Sequence, residues 1–170
     1  MERHKKQTTS KSKSSEISSV AGARQYALRL LTGRDYSVAR LKQKLRDRCF
    51  AEPDLEAAVS ALELEGWIND GRFARRFAES AMESGRYYGS RLCLELKRRG
   101  IPGAVVSKTL DEIMGERNED GDALSMLKRR FSEFSFSLAG DGEKRRVFGF
   151  LCRRGFSAAV ALRAMKAEES

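Results

Sequence analysis

A chain of 170 residues with 41% apolar residues has enough hydrophobic material for one globular domain or an array of small modules, which excludes a wholly disordered polymer. A formal net charge of +9 and a pI near 9.7 point to a polyanion or an acidic protein surface as partner. Three cysteines without CxxC spacing and a single histidine, His4, argue against a disulfide framework and a zinc centre. With no membrane-length apolar run and no N-terminal apolar segment, a cytoplasmic protein without a membrane partner is expected.

Only two prolines, with Ala, Leu, Arg, Glu and Lys dominating, favour helix over strand. Residues 1–19 carry five Lys or Arg against two Glu and almost no apolar side chain, which predicts a disordered basic arm. That arm holds +3 of the charge and leaves +6 on the remainder, so the basic excess is not only a tail effect. From Val20, apolar residues at Ala23, Ala27, Leu30 and Leu31 mark one face of a first helix, which Gly33 ends. Ser37 caps a second helix with Val38, Leu41 and Leu45 on its face. Pro53 sits in the first turn of a third helix lined by Leu55, Ala58, Val59 and Leu62 and stopped by Gly66.

The pattern then recurs. Asn69 or Asp70 can cap a fourth helix bearing Phe73, Phe77 and Ala81, Ser90 a fifth bearing Leu92 and Leu96, and Pro102 can open a sixth bearing Val106, Leu110 and Ile113. Residues 116–122 read as an acidic linker. A seventh helix carries Leu124, Leu127, Phe131 and Phe134, an eighth Val147, Phe150 and Leu151, and a ninth, after Ser157, Val160 and Met165. The second helices align without gaps: Leu41 with Leu92 and Val147, Leu45 with Leu96 and Leu151, and Cys49-Phe50 with Gly100-Ile101 and Gly155-Phe156. A period of roughly 50 residues means a tandem array. The expected fold is all-α, an elongated tandem array of three three-helix modules at 20–68, 69–115 and 116–170, the last with its acidic linker.

Catalytic chemistry finds little footing. His4 lies in the basic arm, and neither a phosphate-cradling Gly-Lys-Ser/Thr loop nor GxGxxG occurs. Asn118, Asp120 and Asp122 have the opening spacing of a calcium loop, but Ala123 replaces its glycine and Arg129 its bidentate glutamate. Glu63, Glu65 and Asp70 could serve a magnesium-dependent nuclease, although Asp70 is more simply a helix cap. No enzyme, cofactor or metal is expected. The three cysteines read as small buried hydrophobes on apolar helix faces.

Binding is better represented. Tyr87 and Tyr88 between Arg86 and Arg91 interleave aromatics with arginine, a pattern that stacks on bases or anchors a protein interface. Lys97, Arg98 and Arg99, then Lys144 and Arg145, and Arg153 and Arg154 lie on or beside helices and suit phosphate contact or helix-end charge complementarity. Arg98-Arg99 and Arg153-Arg154 occupy equivalent module positions, which suggests one continuous basic stripe.

The central residues Trp67-Ile68-Asn69-Asp70, Arg72-Phe73, Gly89, Arg91-Leu92, Glu95-Leu96 and Gly100-Ile101 resemble the core segment of the RecX family, regulators of the RecA recombinase. Within it, Asp70, Arg72, Phe73, Gly89, Arg91, Leu92, Leu96, Gly100 and Ile101 form the motif, and a weaker match runs from about Ala23 to Phe156. Tyr88-Gly89-Ser90 departs from the Gly-Pro pair usual in the family's central turn. The resemblance implies a monomeric, non-enzymatic regulator in DNA repair, recombination and the SOS response. Such a protein binds the RecA–DNA filament, touches DNA electrostatically, and inhibits ATP hydrolysis and strand exchange. The rival reading is a sequence-specific helix-turn-helix regulator.

Overall fold

The computed structural model describes residues 19–167. Among them lie nine helices and no strand: α1 Val20–Gly33, α2 Val38–Arg46, α3 Glu52–Leu64, α4 Asp70–Glu83, α5 Gly89–Arg98, α6 Gly103–Gly115, α7 Glu119–Arg130, α8 Asp141–Arg154 and α9 Ala158–Ala167. The all-α expectation holds. The chain divides into two compact units between Asn69 and Asp70.

In the first unit, α1 and α3 pack together with α2 against both. Ala23 and Ala27 let α1 approach closely, and Leu41, Leu45, Leu55, Val59 and Leu62 are fully buried beside them. Ser19 and Ser37 cap α1 and α2 by accepting from the amides of Gly22 (3.1 Å) and Arg40 (3.3 Å). Ser19 therefore belongs to the fold, whereas the rest of the expected basic arm, residues 1–18, lies outside the described residues. Arg24 reaches Glu65 at 2.6 Å, a use of that carboxylate as an ion-pair partner between α1 and the end of α3.

In the second unit α4, α5 and α6 form one three-helix group and α7, α8 and α9 another, joined where α5 meets α8. Leu45 belongs to the first unit's core, whereas Leu96 and Leu151 share a single contiguous core in the second. Their merger has a local cause. The Tyr88 amide donates to the Arg154 carbonyl at 2.7 Å, so the start of α5 lies backbone to backbone on the end of α8. Gly155 has φ +114° there, and a β-carbon on it would overlap the Tyr88 carbonyl oxygen and sit 2.8 Å from the Arg91 β-carbon.

Several expected details shift. Ser90 does not cap α5: Tyr88 is the N-cap residue, without a side-chain bond, and the Ser90 hydroxyl donates to the Gly155 carbonyl at 3.4 Å. The acidic stretch is only briefly a linker. Asn118 caps α7 by accepting from the Gly121 amide, and Glu119, Asp120 and Asp122 fill the first turn, where carboxylates complement the helix dipole. Phe131 and Phe134 fall beyond the end of α7, yet Phe134 is still buried in the turn that leads to α8. Cys49 is exposed rather than buried, and Cys93 and Cys152 are half-buried.

Cys49 also carries φ +64°, at the position where the other modules place Gly100 (φ +80°) and Gly155 (φ +114°). A left-handed residue closes each second helix, and only the first module closes it with a side chain that disfavours this conformation. Cys49→Gly is expected to raise the stability of the first unit by ~1 kcal/mol, read from denaturant unfolding. Gly155→Ala is expected to cost the second unit about 2 kcal/mol or more through backbone overlap and strain. Gly142→Ala, in the same helix with open space around it, is expected to be neutral to slightly stabilising.

Candidate functional site

The close approach of α5 to α8 leaves an open groove of about 770 Å3 above it. One wall comes from the α4–α5 connection and the first turns of α5, through Arg86, Tyr87, Ser90, Arg91 and Leu94. The other is the last turn of α8, through Phe150, Cys152, Arg153 and Arg154. Four arginines and no carboxylate line it, so it concentrates positive potential in a concave setting.

Each wall carries an arginine over an aromatic ring four residues before it. The Arg91 guanidinium lies 5.8 Å from the Tyr87 ring centre and that of Arg154 lies 5.0 Å from Phe150. Both rings are half-buried and anchored from behind: Tyr87 stacks toward Phe77 at 6.3 Å, and Phe150 meets Phe131 edge-on at 5.3 Å. Arg154 also donates to the Arg86 carbonyl at 3.1 Å, tying the two walls together at their base.

Tyr88, expected as a surface contact beside Tyr87, is instead a core residue at 1% exposure. Its ring stacks on Phe156 at 4.3 Å, and its hydroxyl donates to Asp122 at 3.1 Å. Successive residues of an extended segment point in opposite directions, which sends one tyrosine to the groove and the next to the core. Burial, and then the Asp122 carboxylate, push the Tyr88 phenol well above its ordinary range. Asp122 is held below the usual carboxylate range, chiefly by its hydrogen bond from Arg117, despite partial burial.

The cluster Lys97, Arg98 and Arg99 stands at the far end of α5 from the groove and is not uniformly available. Glu95 has little solvent exposure, its carboxylate being shielded by arginines at its own helix end, and such a group must be paired to be tolerated. Arg91 (2.9 Å), Arg98 (3.4 Å) and Arg99 (2.9 Å) converge on it. Arg99 also lies 4.1 Å over the Phe77 ring, so it clamps α5 to α4. Lys97 and Arg98 remain exposed. On α8, Lys144 is half-buried over Phe136 at 4.7 Å, while Arg145 is exposed. The structure thus gathers Arg86, Tyr87, Arg91, Arg153 and Arg154 and leaves Lys97, Arg98, Arg99, Lys144 and Arg145 elsewhere.

Residues 23–62 match the family model of the first three-helix domain of RecX. The regulatory protein RecX of Trichlorobacter lovleyi is 40% identical over 134 residues, a span of 76% of this chain and 84% of that protein. That of Thermus thermophilus is 39% identical over 142 residues, spanning 83% and 88%. The chain belongs to the RecX family. The crystal structure of RecX from Lactobacillus salivarius has the same fold, with a TM-score of 0.73 at 17% identity over 92% of this chain and 98% of that one.

The residues that carry the sequence resemblance are mostly architectural. Leu92, Leu96 and Ile101 are core, Phe73 stacks parallel on Phe77 at 6.4 Å, and Asp70 opens α4. Gly89 has φ +37°, and a β-carbon on it would lie 2.8 Å from the Gly155 carbonyl oxygen. Gly89 is thus pressed against the neighbouring three-helix group, and Ser90 follows it. Arg72 is exposed on α4. The groove residues Ser90, Leu94, Phe150 and Cys152 were not anticipated as ligand-facing. Phe150 shares helical spacing with Val147 and Leu151, and its only sequence signal is that Arg154 follows it as Arg91 follows Tyr87. Among the described residues, no three His, Cys, Asp or Glu side chains are placed to hold a metal ion, and no helix is long and apolar enough to cross a membrane.

Glu95 supplies a pH test. Its arginine partners, Arg99 foremost through a hydrogen bond, hold its carboxyl below the usual range. A lowered folded value gives stabilisation that is complete above the unfolded value of about 4.3 and is lost as pH falls through the folded one. Wild-type stability is expected to fall as pH drops below about 4.3, whereas Glu95→Gln is less stable at neutral pH and has a flatter acid limb. Urea unfolding at several pH values reads this, with Asp122 and Glu52, also held low by arginine partners, leaving a residual slope in the variant.

Proposed function

We propose that this chain is a non-enzymatic regulator that binds the RecA–DNA filament and inhibits recombinase ATP hydrolysis and strand exchange. It acts in the cytoplasm, as a monomer without a cofactor, with DNA phosphates adding electrostatic attraction. Membership of a family of regulatory proteins supports the regulatory part, and the arginine-lined groove is the observation that carries the binding part. Tandem helical modules suit simultaneous engagement of neighbouring filament subunits, which raises avidity without any single strong contact. We also propose the three-module division at 20–68, 69–115 and 116–170 as the units of that engagement.

The helix-turn-helix reading gains less support. A recognition helix presents polar readers to a major groove, whereas the exposed face of α6 carries the carboxylates Asp111 and Glu112, which oppose phosphate, and that of α9 is largely apolar, with Ala158, Ala159 and Leu162.

Arg86 and Arg153 are exposed groove residues whose reversal leaves the core untouched. The Arg86→Glu/Arg153→Glu protein is expected to inhibit RecA-driven ATP hydrolysis about tenfold less potently at low salt, with a shallower salt dependence and an unchanged melting curve. Equal potency at low and moderate salt for wild type and variant would remove the groove from the interface. Lys97→Glu/Lys108→Glu, at exposed positions outside the groove lining, serves as the comparison for simple loss of net charge.

A further inference from the structure

The groove between α5 and α8 has more than charge. Its two walls present the same device, an aromatic ring with an arginine four residues on stacked above it: Tyr87 with Arg91, and Phe150 with Arg154. Behind each ring lies another aromatic, Phe77 behind Tyr87 and Phe131 behind Phe150, so neither platform collapses inward when a flat group presses on it. Arg86 and Arg153 complete the cationic lining, and Leu94 adds an apolar face. From this arrangement we infer that the groove is a binding site for single-stranded nucleic acid, with bases stacking on the Arg91 and Arg154 guanidiniums seated over Tyr87 and Phe150 and phosphates held chiefly by Arg86 and Arg153.

Three features select this ligand. The basic groups line a concavity, whereas a duplex is read by a helix or ribbon that projects into its groove; a strand enters a concavity with its bases unstacked and available. Flat π-faces on both walls suit bases, which all have such a face, whereas an acidic peptide would use the arginines and leave the rings idle. The arginines are flat as well, so a base can stack on a guanidinium already seated on a ring. Arg91 shares its charge with Glu95 and Arg154 donates to the Arg86 carbonyl, so these two are held in place while Arg86 and Arg153 stand at the exposed rim.

This deepens the filament-regulator reading, since a RecA filament contains a DNA strand, but the binding it describes needs no recombinase. The test is fluorescence anisotropy of the full chain with labelled oligothymidylate about 15 nucleotides long, an abasic strand of equal length and a polyglutamate competitor. Oligothymidylate is expected to bind several-fold more tightly than the abasic strand, with a log–log salt slope no steeper than about −3 for four arginines. Tyr87→Leu is expected to weaken oligothymidylate about 5- to 10-fold while sparing the abasic strand. Arg153→Gln is expected to weaken both strands and flatten the slope by ~0.7. Thermal melts confirm folding; should Tyr87→Leu be destabilised, the exposed Arg153→Gln and the abasic comparison decide. Equal affinity for both strands, stronger competition by polyglutamate than by oligothymidylate, or wild-type binding by both variants overturns the inference. Inhibition of RecA measured on the same proteins separates the two readings: retained inhibition with no strand binding overturns only the inference. Strand binding that responds to both variants, with RecA unaffected, upholds the inference and removes the regulator reading.

Discussion

The second unit depends on one backbone contact, the Tyr88 amide on the Arg154 carbonyl, with Gly89 and Gly155 pressed against each other around it. A side chain at Gly155 would push the helices apart. Closed, the contact sets Tyr88 onto Phe156 and allows two three-helix groups to share a core. The same closeness places Tyr87 and Arg91 across from Phe150 and Arg154, so the groove is a by-product of the packing that joins the modules. Architecture and candidate function therefore rest on the same few residues.

The basic residues divide by what neutralises them. A carboxylate shielded from solvent must be compensated, and Glu95 draws Arg91, Arg98 and Arg99 from its own helix and its C-cap for that purpose. Arg99 adds a ring contact to Phe77 and becomes part of the α4–α5 packing. The groove rim faces solvent on α8 and at the α4–α5 connection, and no carboxylate lines it. Recurrent basic positions in two modules thus have different uses: Arg99 is a clamp, whereas its counterpart Arg154 bridges to the Arg86 carbonyl and lines the groove.

Much of this was legible beforehand. Spacing alone placed Leu41, Leu92 and Val147, and Leu45, Leu96 and Leu151, on buried faces, and all six are fully buried, because a helix exposes a fixed period and burial selects it. Ser37, Pro53 and Ser157 marked helix starts for local reasons, since caps act within one turn. Ser90 misled because its hydroxyl found a carbonyl on α8 rather than its own helix, a choice no local pattern contains. Cys49 misled because apolar residue type was read without the left-handed backbone it occupies, although its alignment with Gly100 and Gly155 held that information.

What the sequence by itself determined is the set of interactions that close within a few residues: the helices of the described residues, most of their ends, the repeated core faces and the motif that marks the family. The tertiary structure decided which of two adjacent tyrosines meets solvent, that the second and third modules share a core, and which arginines line a groove. Each of these turns on contacts between residues far apart in the chain, such as Tyr88 with Arg154 and Arg86 with Arg154. Helical period is a property of one segment, whereas the meeting of two segments depends on shape and backbone clearance, which only packing reveals.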